Sequence, residues 1–402
     1  MSKKIKTIHV TPAPESLLVF LRSRLKILEG NNFKNIGYSY YNSSLDKFKE
    51  SGFDVIRSNY LSRVFNFLDD LKFVVESYKV FKKEKPTIVN TYGPKPGLYA
   101  RFSARLAGVP IVIHTFWGFL FPDDFPWYKK LPFILLEKMG AYFCDYILSV
   151  NRDDLKVMQK YHFKNKNDLN YLGNGTDIHQ IFNPKNYDKE KILSEKVKLG
   201  LKPQSLVIGQ IGRLTESKGY NEYFAAAEKI KSRYPDIEFI VVGPIDNTKG
   251  LGIDEKAIKK LEDDGIIKYL GIKHHEEMPL IYALTDIVVL MSHREGFPRC
   301  LVEAAAMGKP IVTTDIRGCR EAVEPGRNGF LVPIRDYQAL TDELDKLIND
   351  SDLITRLGKN SRLKAERDFD EENLVNTILS TYRRLLAAKG INVNGKKSDK
   401  NS

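Results

Sequence analysis

The chain has 402 residues, 42% of them hydrophobic, which is enough for roughly two to three domains with buried cores. Lys and Arg number 63 against 51 Asp and Glu, so the net charge of +12 favours an anionic partner. The composition excludes a spanning helix, because no apolar run reaches about 18 residues. It also excludes a disulfide framework, because Cys144, Cys300 and Cys319 are odd in number and far apart.

Short apolar runs alternate with longer periodic segments, a pattern typical of parallel sheets with crossover helices. The first series predicts a strand at 5–10, a helix at 16–29, a strand at 87–91, a helix at 97–107 and strands at 110–115 and 146–150. We expect these elements to form a Rossmann-like domain over residues 1–180. The composition then turns polar, which places the interdomain connection within about 175–203.

The second series predicts strands at 206–211, 238–242, 267–270, 287–291 and 310–314, with helices at 220–233, 277–284 and 299–307. It indicates a second Rossmann-like domain over 190–370. A helix at about 371–388 would pack back on the first domain, and 390–402 reads as a disordered basic tail. The predicted class is α/β, with two doubly wound domains that face each other across a cleft, where ligands bind beyond the carboxyl ends of the strands.

The first chemical motif follows the strand at 206–211. Gly212 and Arg213 open a loop that ends with Lys218, and a helix begins directly after it. A guanidinium, an ammonium and a helix amino terminus together suit a diphosphate. The spacing alone fits a solvated polar loop equally well.

The second motif contains Glu295 in a loop and Glu303 more than a turn into a helix of small apolar residues that begins near Pro298. One carboxylate can accept bonds from two adjacent ribose hydroxyls, so Glu303 suits a nucleotide ribose. Glu295 could contact the sugar or the phosphates. Gly296 and Pro298 would let the backbone come close to a ligand. The alternative for Glu303 is a solvated helix face.

Four motifs in order carry a specific resemblance: Gly212-Arg213 with Lys218-Gly219, Glu295-Gly-Phe-Pro-x4-Glu303-Ala, 314–323 (TDIRGCREAV) and 328–333 (NGFLVP). This combination resembles glycosyltransferase family 4, whose members are retaining enzymes of the GT-B fold, and the bacterial enzymes that build cell-surface glycans and lipid-linked saccharides. The first half resembles the family more loosely, through 9–12 (HVTP), 91–97 (TYGPKPG), 105–110 (RLAGVP) and 173–177 (GNGTD).

The resemblance implies that the first domain binds the acceptor and the second the nucleotide-sugar donor. It gives the catalytic roles to Arg213 and Lys218, which would hold the diphosphate, and to Glu295 at the sugar. It places Glu303 at the ribose. The other expected donor-binding residues are Gly212, Gly296, Phe297, Pro298 and Arg299.

The chain departs from the family at Thr115-Phe-Trp117-Gly, where many members have a His within T-x-H-G, and at 11–14 (TPAP), where many have a glycine pair. The role of that His does not transfer to Trp117, and His114 lies three residues too early. Lys95, His114 and Trp117 are the acceptor-side candidates.

No cofactor is expected, because the histidines at 274, 275 and 293 lack matching ligands and no D-x-D cluster faces the diphosphate site. Arg213 and Lys218 would replace a metal. The expected partners are a nucleotide-sugar donor, with UDP preferred, and a saccharide acceptor linked to polyprenyl diphosphate. Peripheral contact with an anionic membrane at its cytoplasmic face is expected from the basic first half and the aromatic stretch 119–143.

Three other functions fit parts of the sequence. A sugar-nucleotide 2-epimerase of GT-B fold would use the donor without an acceptor, and a non-catalytic subunit would bind the donor without turnover. A nucleic-acid binder would explain the net charge, but no nucleic-acid-binding motif accompanies it, so no nucleic acid is expected as a partner.

Overall fold

The computed structural model describes residues 4–62, 66–246 and 252–392. The chain divides into two compact units: unit 1 is Met1–Gly173 with Glu372–Ser402, and unit 2 is Asn174–Glu371. Each unit contains a parallel sheet with helices, which confirms the predicted fold class. The predicted tail lies outside the described residues from position 393 onward.

Unit 1 contains a parallel sheet in the order β3-β2-β1-β4-β5-β6-β7. Its strands are β1 (Ile5–Val10), β2 (Phe33–Tyr40), β3 (Asp54–Ser58), β4 (Ile88–Tyr92), β5 (Ile111–Phe116), β6 (Tyr146–Ser149) and β7 (Leu169–Tyr171). Every residue of β4, β5 and β6 is buried, as expected for parallel strands covered on both faces.

The first helices of unit 1 are α1 (Arg22–Gly30), α2 (Ser43–Glu50), α3 (Phe67–Glu84), α4 (Pro94–Leu106), α5 (Trp127–Tyr142) and α6 (Arg152–Lys160). A π-helical segment, Ser16–Leu21, precedes α1, so the helix predicted at 16–29 consists of two segments. Asn42, Asn66 and Asn151 accept backbone N–H bonds at the starts of α2, α3 and α6, which explains where these helices begin.

The order of the strands sends the crossover helices to opposite faces of the sheet, because such crossovers are right-handed. One core packs α1 against the sheet, and a second core lies beneath α3, α4 and α5. Helix α4 packs against both α3 and α5, so these three helices form one layer.

Unit 2 contains a parallel sheet in the order β10-β9-β8-β11-β12-β13. Its strands are β8 (Val207–Ile211), β9 (Glu238–Val242), β10 (Lys268–Tyr269), β11 (Ile287–Leu290), β12 (Ile311–Thr314) and β13 (Gly329–Val332). Its helices are α7 (Lys189–Lys198), α8 (Tyr220–Arg233), α9 (Glu255–Asp263), α10 (Met278–Leu284), α11 (Arg299–Ala306), α12 (Cys319–Ala322), α13 (Tyr337–Ile348) and α14 (Ser351–Asp368).

The order of strands in unit 2 reverses between β8 and β11, which pair in parallel. The chain leaves β8 toward β9 on one side, whereas β11 leads to β12 on the other. Loops diverge at such a point and leave a crevice at the carboxyl edge of the sheet. Both predicted motifs lie in these two loops.

The last helix, α15 (Glu371–Ala388), belongs to unit 1 from residue 372 onward. Its side chains Val375, Tyr382 and Leu386 are buried in the same core as α1. Asn90 Nδ2 on β4 donates to the Tyr382 hydroxyl over 3.1 Å, which joins α15 to the middle of the sheet. None of the described helices is both long enough and apolar enough to cross a bilayer.

Candidate functional site

The loop after β8 holds the first predicted cation at the crevice of unit 2. The backbone of Gly212 donates to the Val242 carbonyl over 2.9 Å and accepts from the Tyr220 hydroxyl over 2.8 Å, so this end of the loop is fixed. Arg213 is 58% exposed, and its Nη1 lies 3.2 Å from Asp246 Oδ2. Asp246 therefore orients a guanidinium that remains open to an anionic ligand.

Lys218 and Glu295 form an ion pair that joins the loop after β8 to the loop after β11. The side chain of Lys218 is 22% exposed and that of Glu295 is 11% exposed. Burial opposes the ammonium charge, but the Glu295 carboxylate outweighs it, so the pKa of Lys218 is raised. Lys218 is therefore a fixed positive charge directly before the amino terminus of α8, where the helix adds its own positive field.

Gln210 holds the two loops in register, a role that the sequence analysis did not predict. It is the fourth residue of β8 and has no exposed surface. Its Nε2 donates to the Lys218 carbonyl over 3.0 Å, and its Oε1 accepts from the Met291 N–H over 3.4 Å. One buried amide thus fixes the backbone on both sides of the ion pair.

A second pair, Glu222 and His293, supports the same loops from the α8 side. His293 Nε2 lies 2.9 Å from Glu222 Oε1, and the His293 N–H donates to the Ser217 carbonyl over 2.8 Å. Burial opposes the charge of Glu222, but the bond and charge of His293, a backbone hydrogen bond and the charge of Arg335 together outweigh it, so the pKa of Glu222 is lowered. The sequence analysis found no metal ligands to accompany His293 and did not predict its pairing with Glu222.

Two glycines allow the loops of the crevice to touch. Gly219 has φ +69°, and a Cβ there would lie 1.9 Å from the Met291 carbonyl oxygen. Gly318 has φ +79°, and a Cβ there would lie 2.4 Å from the Gly296 carbonyl oxygen. Both positions combine a left-handed backbone with a contact too close for any side chain, so glycine is required at each.

Glu303 lies on α11 and is only 6% exposed. Its Oε1 accepts from Arg299 Nε over 2.8 Å, and its Oε2 accepts from the Tyr282 hydroxyl over 3.0 Å. His275 Nδ1 lies 4.0 Å from Oε1. Burial raises the pKa of Glu303, although Arg299 and Tyr282 partly offset this effect. The predicted ribose ligand is therefore a buried carboxylate with partners from three elements.

The start of α11 is fixed from several directions. The Phe297 carbonyl accepts from Asn174 Nδ2 over 3.2 Å, and the Phe297 ring packs edge-on against Phe369 with centroids 5.6 Å apart. Pro298 precedes the first helical residue. Burial raises the pKa of Cys300 to about 12, so this thiol is neutral and is not a nucleophile.

Two family models match the chain: "Glycosyltransferase Family 4" over residues 36–180 and "Glycosyl transferases group 1" over residues 191–364. The UDP-Gal:alpha-D-GlcNAc-diphosphoundecaprenol alpha-1,3-galactosyltransferase of Escherichia coli is 30% identical over 332 residues, which cover 82% of this chain and 83% of the relative. The chain belongs to glycosyltransferase family 4. It is therefore a glycosyltransferase, as the motifs of the second unit predicted.

A further relative and two solved structures are similar to nearly the whole length of this glycosyltransferase. The capsular polysaccharide biosynthesis glycosyltransferase CapM of Staphylococcus aureus is 26% identical over 384 residues, which cover 96% of this chain and 98% of the relative. The structure of Anabaena HepE in complex with UDP and glucose has a TM-score of 0.77 at 20% identity, covering 94% of this chain and 100% of that one. Sucrose-phosphate synthase from Thermosynechococcus elongatus has a TM-score of 0.79 at 18% identity, covering 95% and 100%. These structures show that the fold is GT-B.

The acceptor-side candidates of the glycosyltransferase lie in unit 1, and two of them are buried. His114 has no exposed surface, and its Nδ1 lies 2.9 Å from Thr91 Oγ1. Burial and the nearby charge of Arg101 hold the pKa of His114 well below its ordinary value, so the ring is neutral. His114 thus offers no exposed surface to an acceptor, and its acceptor-side role stays a prediction. Its place in β5 makes it a core residue.

The other two acceptor-side candidates, Lys95 and Trp117, differ from each other in how much of the side chain is accessible to a ligand. Lys95 is 7% exposed, and its Nζ lies 2.6 Å from Asp70 Oδ1, so its charge is used in an internal ion pair and is not free for an acceptor. Trp117 follows β5 at the carboxyl edge of the sheet and is half-buried between Phe20 and Tyr92, with centroids at 6.1 and 5.2 Å. Of the three candidates, Trp117 alone has both an accessible surface and a place at the ligand edge.

Among the described residues of the glycosyltransferase, no group of three or more His, Cys, Asp or Glu side chains is arranged to hold a metal ion. Arg213 and Lys218 place two positive charges at the crevice of unit 2. A diphosphate bound there would be neutralised by side chains and by the start of α8.

Proposed function

We propose that this glycosyltransferase transfers a sugar, with retention of configuration, from a UDP-sugar to a saccharide linked to polyprenyl diphosphate. The observation that supports it most directly is the Lys218–Glu295 ion pair at the reversal point of the unit 2 sheet, beside the exposed Arg213. The two cations there could bind the leaving diphosphate, and the carboxylate could accept hydrogen bonds from the neutral sugar. Retention rests on the family resemblance.

The chemical demand is the departure of a nucleoside diphosphate from an anomeric carbon, with negative charge growing on the leaving oxygen. Arg213 can grip two phosphate oxygens, and Lys218 is a buried charge that need not reorganise during the reaction. Because these groups supply the neutralisation, we propose that the reaction requires no metal. Removing one such charge typically costs about 3 kcal/mol of transition-state stabilisation, or roughly a hundredfold in rate.

The donor assignment places the ribose at Glu303 and the sugar at Glu295, with the backbone around Gly296 close to the ligand. Glu303 is held in one orientation by Arg299 and Tyr282, which suits a ligand that must read two adjacent hydroxyls. A UDP-sugar is favoured because the Escherichia coli relative is named for UDP-Gal.

The acceptor assignment follows the relatives. The same Escherichia coli enzyme is named for a GlcNAc-diphosphoundecaprenol acceptor, and a Campylobacter jejuni relative is an N-acetylgalactosaminyltransferase named for a diphospho-undecaprenol substrate. A lipid-linked acceptor lies in a membrane, so we propose that the enzyme works at the cytoplasmic face of an anionic membrane. The cysteines at 144, 300 and 319 are free, as in a reducing compartment.

The test begins with the donor. UDP-, GDP- and ADP-sugars are screened for an increase in melting temperature, and the best donor is then assayed with polyprenyl diphosphate-linked saccharides. Arg213→Ala and Lys218→Ala should each lower transfer by about a hundredfold with the fold retained, although Lys218→Ala should also lower the melting temperature because it leaves Glu295 without its partner. Matched controls are Arg233→Ala and Lys202→Ala, which remove exposed ion-paired cations elsewhere in unit 2 and should leave the rate unchanged.

Near wild-type transfer by both Arg213→Ala and Lys218→Ala would contradict the catalytic assignment. Transfer to a soluble saccharide, with none to any lipid-linked acceptor, would contradict the acceptor assignment. Activity that disappears in EDTA and returns with Mg²⁺ would contradict the proposed independence from metal.

A further inference from the structure

Exposed apolar side chains are concentrated on one layer of unit 1. Of the nineteen large hydrophobic residues that are exposed among the described residues, five lie on α3, one on α4 and six on α5. They are Phe67, Leu68, Leu71, Val75, Tyr78, Leu106, Trp127, Tyr128, Leu135, Leu136, Met139 and Tyr142. Apolar surface that is concentrated on one layer in this way indicates a place where something else binds. We call the outward surface of α3 and α5 the α3–α5 face.

Helix α3 has two apolar stripes. Phe73 and Phe81 are buried against the sheet. On its outer side Leu71, Val75 and Tyr78 recur at helical spacing and are 55%, 48% and 37% exposed. A helix on the surface of a soluble domain needs only the inner stripe, so the outer one requires a second apolar environment.

Helix α5 repeats this arrangement. Its inner side is buried at Ile134 and Ala141. Its outer side exposes Leu135, Met139 and Tyr142, at 54%, 53% and 80%. The sequence had singled out the whole stretch 119–143, but Phe119 and Phe121 at its start are core residues. The accessible part of that stretch is α5 itself.

Positive charges predominate on this face. The residues of α3 and α5 that are charged and exposed are lysines: Lys72, Lys79, Lys82, Lys83, Lys129 and Lys138. The acidic residues of these helices are half-buried or buried, and Asp69, whose side chain is 40% exposed, lies 3.6 Å from Lys72 Nζ. Lys72 Nζ lies 5.5 Å from the Tyr60 ring centroid, and Lys82 Nζ lies 5.8 Å from that of Tyr78, so lysines and aromatic rings are interleaved. Lysines among apolar side chains complement a surface that is anionic outside and apolar beneath.

We propose that the α3–α5 face docks on the surface of an anionic phospholipid bilayer. The first residues of α3 and α5 follow the carboxyl edge of the sheet, and Phe67 and Trp127 at these helix starts are 81% and 73% exposed. Aromatic rings of this kind favour the headgroup region. The edge where an acceptor would bind in unit 1 therefore borders the bilayer. The biological reason for membrane docking rests on the proposed function. The vesicle-binding test does not depend on that function.

The test is co-sedimentation of the full chain with vesicles of phosphatidylglycerol and phosphatidylethanolamine, compared with vesicles of phosphatidylcholine. Two double variants place carboxylates on the face: Leu71→Glu with Val75→Glu on α3, and Leu135→Glu with Met139→Glu on α5. The control, Val197→Glu with Leu363→Glu, changes two exposed apolar residues of unit 2 that are 59% and 50% exposed. All three variants alter the net charge equally.

We expect the wild type and the control to bind anionic vesicles, and each face variant to partition at least about tenfold less. Equal binding by all four proteins would overturn the proposal. It would also be overturned if light scattering showed a dimer that only the face variants dissociate, with vesicle binding unchanged, because the face would then contact a second copy.

Slow release of UDP from a UDP-sugar, measured without vesicles, keeps this test separate from the proposed function. The face variants should retain wild-type release, since their changes lie outside unit 2. Vesicle binding by a wild type that hydrolyses or transfers no UDP-sugar would contradict the donor assignment and leave the docking face supported. Donor hydrolysis by a wild type that does not bind vesicles would support the donor assignment and contradict the docking face.

Discussion

Replacing Arg299 by methionine removes the guanidinium from Glu303 while it keeps most of the side-chain volume. The carboxylate is 6% exposed and would retain only the Tyr282 hydroxyl at 3.0 Å and the more distant His275 at 4.0 Å. Removing one partner of a buried ion pair typically costs about 3–5 kcal/mol. Because those two groups still offset part of the charge, we expect Arg299→Met to destabilise unit 2 by about 3 kcal/mol.

The loss should depend on pH in one direction. Burial already raises the folded-state pKa of Glu303 above its ordinary value of 4.5, and without Arg299 it rises further. A carboxyl group with a raised folded-state pKa binds its proton more tightly when folded, so its contribution to stability falls as pH rises from the unfolded-state pKa through the folded-state value. The deficit of Arg299→Met relative to wild type should therefore be smallest in acidic solution and grow as the pH rises above the ordinary pKa of a glutamate.

Calorimetry and far-UV circular dichroism measure this difference. The two tryptophans, Trp117 and Trp127, both lie in unit 1, so tryptophan fluorescence reports that unit and should not change. The double variant Arg299→Met with Glu303→Gln should recover most of the lost stability, because no buried charge remains. It should not recover stabilisation by UDP, if Glu303 binds the ribose. A deficit independent of pH, or a double variant no more stable than the single one, would refute the reasoning.

Two further predictions concern packing. Gly219→Ala should prevent unit 2 from folding, because the new Cβ would meet the Met291 carbonyl. The control Gly326→Ala changes a glycine with a similar φ of +74° but open space around it, so it should cost only about 1 kcal/mol of stability. Soluble yield and thermal unfolding compare the two variants, and equal losses would contradict the steric explanation. Tyr382→Phe should destabilise unit 1 by about 1 kcal/mol by removing the bond from Asn90. Tryptophan fluorescence in urea measures this change, and an unchanged midpoint would show that the bond contributes nothing.

The features that could be predicted from the sequence are those with a local signal. Apolar runs between helical segments were sufficient for two parallel sheets. The prediction sought the site in the loops after the strands, and the two charged, glycine-containing motifs begin in the loops after β8 and β11, where the strand order reverses. The prediction also placed Lys218 and Glu295 in one site, and the structure has them in direct contact. Their separation by 77 positions matters little, because β8 and β11 are neighbours.

The features that could not be predicted depend on which side chains meet across elements. Gln210 looks like an ordinary polar residue in an apolar strand, and its role appears only when the chain brings Lys218 and Met291 to its two amide atoms. His114 is a second case. It is an acceptor-side candidate because it lies near a family motif, and strand pairing on both sides leaves it in the core. The pairing of neighbouring strands determines both the partners of Gln210 and the burial of His114. Strand pairing cannot be deduced from composition.

Two mostly buried lysines of unit 2 show what Glu295 does for the site before any donor arrives. Burial lowers the pKa of Lys309 to about 8, and the charge of Asp286 offsets this effect only in part. The Lys309 Nζ donates to the Ala283 carbonyl over 2.9 Å. Lys218 experiences the same effect of burial, yet its pKa is raised, because Glu295 is paired with it. Without that carboxylate, Lys218 would approach the behaviour of Lys309 and lose its proton in part near neutral pH. Glu295 therefore maintains the positive charge on which departure of a diphosphate would depend, in addition to any contact with the sugar.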